Sequence, residues 1–517
     1  MHGCVLAVMT NGMATDVAPS KPNILFILAD DLGYGDVQCL NPQRGKIRTP
    51  NLDRLAGQGM TFTDAHSGSA VCTPSRYGIL TGRYAWRTRL QSGVLGGFSP
   101  PLIERERLTL PSLLKQHGYA TACIGKWHLG MSWPHKDGGP GNVNNANAME
   151  VVDWTKPIQN GPTACGFDYY FGISASLDMP PFVFIENDHV TAVPTTKKRW
   201  IRSGPAAADF EAVDVLPRLT SRAIEHIKLR ADDARAGKPF FLYLPLNAPH
   251  TPIVPSKEWQ GTSGLGDYAD FVMALDATVG KVLVALDAQG LASNTLVIVT
   301  SDNGFSPHGD PKGLLRAQGH KPSAQFRGYK ADIWDGGHRV PCLVRWPGRI
   351  AAGSISEQLI CLGDLMATCA ELVGARLPDN AGEDSVSILP ALLGTAEELL
   401  PEAVVHHSIN GSFAIRQGNW KLELCPGSGG WSDPRPASSQ EEGLPPVQLY
   451  NLGVEIGEQT NLQAEHPEIV ARLTRLLEKY DADGRSTPGR PQQNEVAIKL
   501  WKKERSADKS TESQEGQ

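Results

Sequence analysis

Apolar residues fall along this chain in two alternating patterns. There are four short apolar runs, and three of them lead toward polar residues. Run 23–29 meets Asp30 and Asp31, 239–244 ends near Asn247 and His250, and 295–300 meets Ser301, Asp302 and Asn303. The fourth is 342–346. Unbroken runs of this length read as strands buried on both faces. Helical spacing appears at 51–58, 109–117, 215–236, 266–287 and 363–372. Strands alternating with helices predict an α/β domain with a mixed or mainly parallel sheet. Ligands in such sheets bind beyond the carboxyl ends of the strands, where these polar residues stand.

After about residue 395 the pattern changes. Segment 412–424 reads as two strands joined by a Gly-Asn turn, and 447–450 as a further strand. Ile469, Val470, Leu473, Leu476 and Leu477 form a helical stripe within 466–480. The expected plan is therefore a main domain at 21–395, a small C-terminal α+β subdomain with an antiparallel sheet at 396–482, and a tail at 483–517. Residues 1–20 read as a leader. Their apolar stretch 4–9 has no preceding Lys or Arg, so a shortened export signal and a plain leader both stand. No apolar run approaches the ~18 residues of a membrane span.

Composition narrows the function classes. The chain has 517 residues, 41% of them hydrophobic, which excludes global disorder. Lys and Arg total 49 against 55 Asp and Glu, a net charge of −6 that argues against a broad nucleic-acid surface. Nine cysteines without a CxxC pair suit neither a disulfide scaffold nor a metal finger.

Two clusters carry chemistry. Adjacent carboxylates repel unless a cation neutralises them. Asp30, Asp31, Asp302 and Asn303 make an all-oxygen set suited to Ca²⁺ or Mg²⁺, the alternative being caps and turns. In Cys72-Thr73-Pro74-Ser75-Arg76, Pro and Ser suit a first helical turn. Cys72 then stands at a helix N-terminus, which favours an anion and lowers a thiol pKa, with Arg76 on the same face. A buried, inert cysteine is the alternative.

Cys72-Thr-Pro-Ser-Arg76 followed by Leu80-Thr-Gly-Arg83 resembles the signature of the type I sulfatases, C-x-P-x-R followed by L-T-G. Further blocks occur in the family's order. They are Lys21 to Asp36, Thr49 to Ala56, Gly125-Lys-Trp-His-Leu-Gly130, Ala248-Pro-His-Thr-Pro252, Ser301-Asp-Asn-Gly304, and Arg327-Gly-Tyr-Lys330 through Asp335-Gly-Gly-His-Arg-Val-Pro341. The resemblance spans roughly 21–480. It implies an alkaline-phosphatase-like fold, a large central mixed sheet between helices.

It also implies that a maturation enzyme oxidises Cys72 to Cα-formylglycine. The hydrated aldehyde then attacks sulfur and later eliminates sulfate. Asp30, Asp31, Asp302 and Asn303, with the residue at 72, resemble the family's ligands for Ca²⁺. Arg76 resembles the residue that orients the formylglycine, and Lys126 and Lys330 the pair that neutralises sulfate oxygens. His128 would take the proton that drives elimination, and His250 would protonate the leaving alkoxide. Ser176, Asp178 and His308 are substrate-contact candidates, with loop or turn roles as the alternative. One departure is Asp335, where many relatives carry Glu.

The substrate implied is a sulfated carbohydrate, because no long apolar hairpin or anchor is visible. Segments 305–309 and 319–327 resemble bacterial polysaccharide sulfatases and N-acetylgalactosamine-6-sulfatase-like enzymes, which points to a 6-O-sulfated galactose or N-acetylgalactosamine. A periplasmic or secreted location follows from the same resemblance. Two other readings stand beside it: a phosphonate monoester or phosphodiester hydrolase of the superfamily, and a catalytically silent glycan-binding homologue.

Overall fold

The computed structural model describes residues 21–139, 142–396, 401–438, 441 and 443–502. The expected leader and the end of the expected tail lie outside them. A ten-stranded mixed sheet organises the chain. Strand Asn23–Ala29 runs through its middle, with every residue buried. It pairs in parallel with Phe240–Pro245 on one side and Thr295–Ser301 on the other. Ala120–Lys126 and Tyr169–Ile173 continue the parallel set. Cys342–Arg345 joins antiparallel beyond Thr295–Ser301. The apolar runs are unbroken because helices cover both faces of these strands.

Helix Val215–Arg235 buries Leu216, Leu219, Ala223 and Ile227, the i, i+3/i+4 stripe of an amphipathic helix. It packs against Asp267–Ala288 and the strands, while Leu110–Gln116, Cys72–Thr81 and Leu365–Leu372 form a separate group. Each large apolar side chain buried here is worth roughly 1.5–3 kcal/mol.

The C-terminal part is a four-stranded antiparallel sheet of Val404–His407, Phe413–Gln417, Trp420–Glu423 and Gln448–Asn451. Gly418, at φ 56°, opens the turn that joins the second and third strands. Helix Pro467–Ala482 lays Leu473, Leu477 and Tyr480 on this sheet. That core also takes in Tyr84, Trp86, Leu359 and Cys361 from earlier in the chain. Residues 483–502 pack on the segment that carries Arg83 and Arg87. Arg83 donates to the Gln493 carbonyl, Arg87 donates to Asn494, and Leu500 is buried. All eight cysteines among the described residues are free thiols. No described helix is long and apolar enough to cross a membrane.

Candidate active site

Register brings the acidic motifs together. Ala29 pairs with Ser301, so Asp30 and Asp302 leave adjacent strand ends side by side. The Asp31 amide donates to Asp302 Oδ1 at 3.3 Å, and Asn303 Nδ2 donates to Asp31 Oδ1 at 2.8 Å. Gly304 follows because a side chain there would collide with the Gly336 carbonyl, 1.9 Å from the added carbon. That contact ties the Ser-Asp-Asn-Gly and Asp-Gly-Gly motifs together. Asp31 and His128 hold left-handed φ angles of 69° and 59°, a conformation non-glycine residues adopt at a cost of about 1–3 kcal/mol.

Cys72 is the first residue of helix Cys72–Thr81, as the sequence predicts. Its Sγ lies 3.7 Å from Asp30 Oδ1 and 3.6 Å from Lys330 Nζ. Lys330 Nζ bonds both oxygens of Asp31, at 2.7 and 2.8 Å. Lys126 Nζ bonds both oxygens of Asp30, at 2.9 and 2.8 Å. Arg76 clamps Asp302 Oδ2 through Nε at 3.0 Å and a terminal nitrogen at 2.7 Å, and donates to the Lys126 carbonyl. Three cationic side chains thus face three carboxylates, all buried.

Of the two readings of Cys72 from the sequence, the buried thiol is the one observed. Burial pushes Cys72 up to about 12 although Lys126 and Lys330 pull the other way. Desolvation outweighs the two lysines, so an unmodified Cys72 is a protonated thiol and a poor nucleophile. Burial likewise opposes the charge of Asp30, but Lys126, His250, Arg76 and Lys330 hold it well below the usual carboxylate range.

The two histidines are held by different contacts. His128 Nε2 lies 2.7 Å from the Leu95 carbonyl, so that nitrogen carries the hydrogen, and buried Nδ1 has no protein partner. Burial, with Lys126 and Arg76 nearby, holds His128 well below its usual value, leaving a neutral base. His250 Nδ1 donates to the Thr251 carbonyl at 2.6 Å, and its Nε2 stands 3.7 Å from Asp31.

On the substrate side, Ser176 Oγ and Asp178 Oδ1 are buried without a hydrogen-bond partner, and Asp178 Oδ1 lies 4.0 Å from His250 Nδ1. His308 is exposed and meets Trp431 of the C-terminal part edge-on, with ring centroids 4.8 Å apart. All predicted catalytic and acidic residues therefore converge. Sequence reasoning missed Arg202, which pairs with Asp178, and Trp431, whose amide donates to Asp332 two residues from Lys330. Each contact joins segments far apart in the chain, and neither residue belongs to a motif.

A sequence model of the family described as Sulfatase matches residues 22–375. The chain belongs to the sulfatase family. It is a sulfuric ester hydrolase. An N-acetylgalactosamine-6-O-sulfatase of Bacteroides thetaiotaomicron is 33% identical, covering 89% of this chain and 93% of its own. Arylsulfatase A of Homo sapiens is also 33% identical, covering 92% and 91%. A solved structure described under the metabolism of multiple glycosaminoglycans by Bacteroides thetaiotaomicron aligns with a TM-score of 0.77 at 32% identity, covering 89% of this chain and 99% of its own. A phosphonate monoester hydrolase of Silicibacter pomeroyi, at 18% identity and a TM-score of 0.57, shares the fold alone.

This sulfatase has a donor set that fits a hard cation. Asn303 Oδ1 is buried and has no partner, and it joins the carboxylates of Asp30, Asp31 and Asp302. A second buried cluster, His66, His338 and His406, does not fit a metal. The His338 and His406 rings stack at 3.8 Å with planes 10° apart, so their in-plane lone pairs do not converge. Arg416 and Lys421 also stand 3.1 and 3.2 Å from ring nitrogens of His66 and His338.

Proposed function

We propose that this sulfatase removes 6-O-sulfate from galactose or N-acetylgalactosamine units of a sulfated glycan, using formylglycine at position 72 and a divalent cation, Ca²⁺ or Mg²⁺. The sugar assignment is carried by the 33% identity to an N-acetylgalactosamine-6-O-sulfatase over 93% of that protein. The cation is supported by the orphaned Asn303 oxygen beside three carboxylates. The modification is supported by the motif Cys72-Thr-Pro-Ser-Arg76, whose cysteine opens a helix 3.7 Å from Asp30 and 3.6 Å from Lys330.

A formylglycine supplies a hydrated aldehyde as nucleophile, which the Cys72 thiol is not. A cation held by Asp30, Asp31, Asp302 and Asn303 supplies positive charge toward a sulfate oxygen. The rest falls to the chain's own side chains. Lys126 and Lys330 neutralise sulfate oxygens as charge grows in the transition state. Arg76, fixed by Asp302, holds the helix that carries position 72. His128 Nδ1, free and neutral, accepts a proton from the group at 72. His250 Nε2 donates a proton to the alkoxide oxygen as the S–O bond breaks, and the sugar leaves as an alcohol. Asp178, facing His250 Nδ1, is positioned to meet the sugar.

A panel of monosulfated sugars, varied in sulfate position and in the orientation of the 4-hydroxyl, tests the reading. Fastest turnover of 6-sulfated galacto sugars is expected. Equal turnover of the gluco epimers, or faster turnover of another sulfate position, overturns the assignment.

A further inference from the structure

A basic hairpin stands beside the catalytic pocket, and the chemistry above does not use it. Strands Thr196–Arg199 and Ser203–Ala206 pair antiparallel. Lys197, Lys198, Arg199 and Arg202 lie on this hairpin, and no Asp or Glu occurs between residues 189 and 208. In a chain of net charge −6, so dense a cationic segment is a local departure.

The hairpin is fixed to the pocket. The Phe182 amide donates to the Pro205 carbonyl at 2.8 Å, and the Ala207 amide donates to the Phe182 carbonyl at 3.0 Å. Trp200 meets Phe182 edge-on at 4.6 Å. Phe182 follows Asp178 by four residues, and Arg202 pairs with Asp178 itself, 4.0 Å from His250. The cations thus begin at the mouth of the pocket and continue outward.

Two of them have no ionic partner among the described residues. The hairpin's ion pairs among the described residues are Lys198–Glu211 and Arg202–Asp178. Lys197 and Arg199 are exposed and form none. Alternation along a strand puts both on one face, roughly 7 Å apart. Exposed cations spaced this way suit anionic groups repeated along a polymer better than one small anion.

We propose that Lys197 and Arg199, continuing from Arg202, bind sulfate or carboxylate groups on sugars adjoining the one being desulfated, so that the preferred substrate is a polyanionic oligosaccharide rather than a free monosaccharide. The inference rests on the carbohydrate reading above but not on which sugar is cleaved.

The test is the double variant Lys197→Gln/Arg199→Gln. In a Cys72→Ala background, which stops turnover, Kd is measured for a chondroitin 6-sulfate tetrasaccharide and for a dextran sulfate oligosaccharide, at low and high salt. Two exposed ion pairs predict a Kd weakened roughly 2- to 30-fold at low salt, with the difference shrinking at high salt. In the otherwise native enzyme, kcat and KM for N-acetylgalactosamine 6-sulfate should not change. Equal Kd values for both polyanions, with and without the substitutions, overturn the proposal. Failure of the 6-sulfate assignment shows separately, in the monosaccharide panel, and leaves the loss of dextran sulfate affinity intact.

Discussion

Replacing Lys330 with Met separates its two roles. The Lys330 ammonium sits 2.7 and 2.8 Å from the oxygens of Asp31, and both side chains are almost fully buried. Methionine keeps much of the volume and removes the charge, so the Asp31 carboxylate loses its cationic partner. Breaking one side of a buried pair costs about 3–5 kcal/mol. That loss is expected in thermal unfolding with a chelator present. Asp31 is also a proposed cation ligand, so excess calcium should restore much of the stability, and more than it adds to the parent. Activity should not return with it. Removing one preorganised charge donor lowers kcat by about 10²–10³, and calcium does not replace an ammonium aimed at a sulfate oxygen. Scanning fluorimetry with chelator or calcium, together with steady-state rates on a 6-sulfated sugar, reads both effects. Parent-like stability in chelator would refute the buried-pair argument. A variant indifferent to calcium would remove Asp31 from the ligand set, and a kcat close to the parent's would remove Lys330 from the chemistry.

Two further outcomes follow from the histidines. His250→Ala should slow a sugar sulfate by about 10²–10⁴, because an alkoxide needs a proton to leave, but should slow an activated aryl sulfate far less. Equal losses on both substrates would contradict a leaving-group role. His226, packed on Tyr169, is lowered by burial from 6.5 to about 4. Between those values the unfolded imidazole binds a proton and the folded one does not, so stability falls as pH is lowered through that window. Compared with His226→Gln, the parent should lose about 1.4 kcal/mol per pH unit across it, and parallel stability–pH curves would refute the assignment.

The catalytic centre was legible because its residues end strands that can hardly be misread. Segments 23–29 and 295–301 are apolar on both faces, and the parallel register of Ala29 with Ser301 then brings Asp30 and Asp302 together. The motif at 72–76 likewise marked a helix start. Electrostatics were less legible. A helix N-terminus argues for a lowered thiol pKa, but the burial that reverses it depends on Lys330, Asp30 and the rest of the pocket closing over Cys72. The short strands Ile185–Glu186 and His189–Val190 have no periodicity of their own and exist because the edge of the sheet pairs with them. Segment 483–502 is polar and reads as a tail, yet hydrogen bonds from Arg83 and Arg87 hold it, and hydropathy does not register those. Arg202 and Trp431 are visible only through contacts distant in sequence.

The central claim is that position 72 acts as formylglycine. Mass spectrometry of the peptide spanning Cys72, run on enzyme produced with graded amounts of a formylglycine-generating partner and matched to turnover of the same samples, tests it most directly. Turnover should rise in proportion to the fraction of aldehyde at 72 and vanish in Cys72→Ala. Full turnover in samples whose Cys72 is entirely unmodified thiol would contradict it.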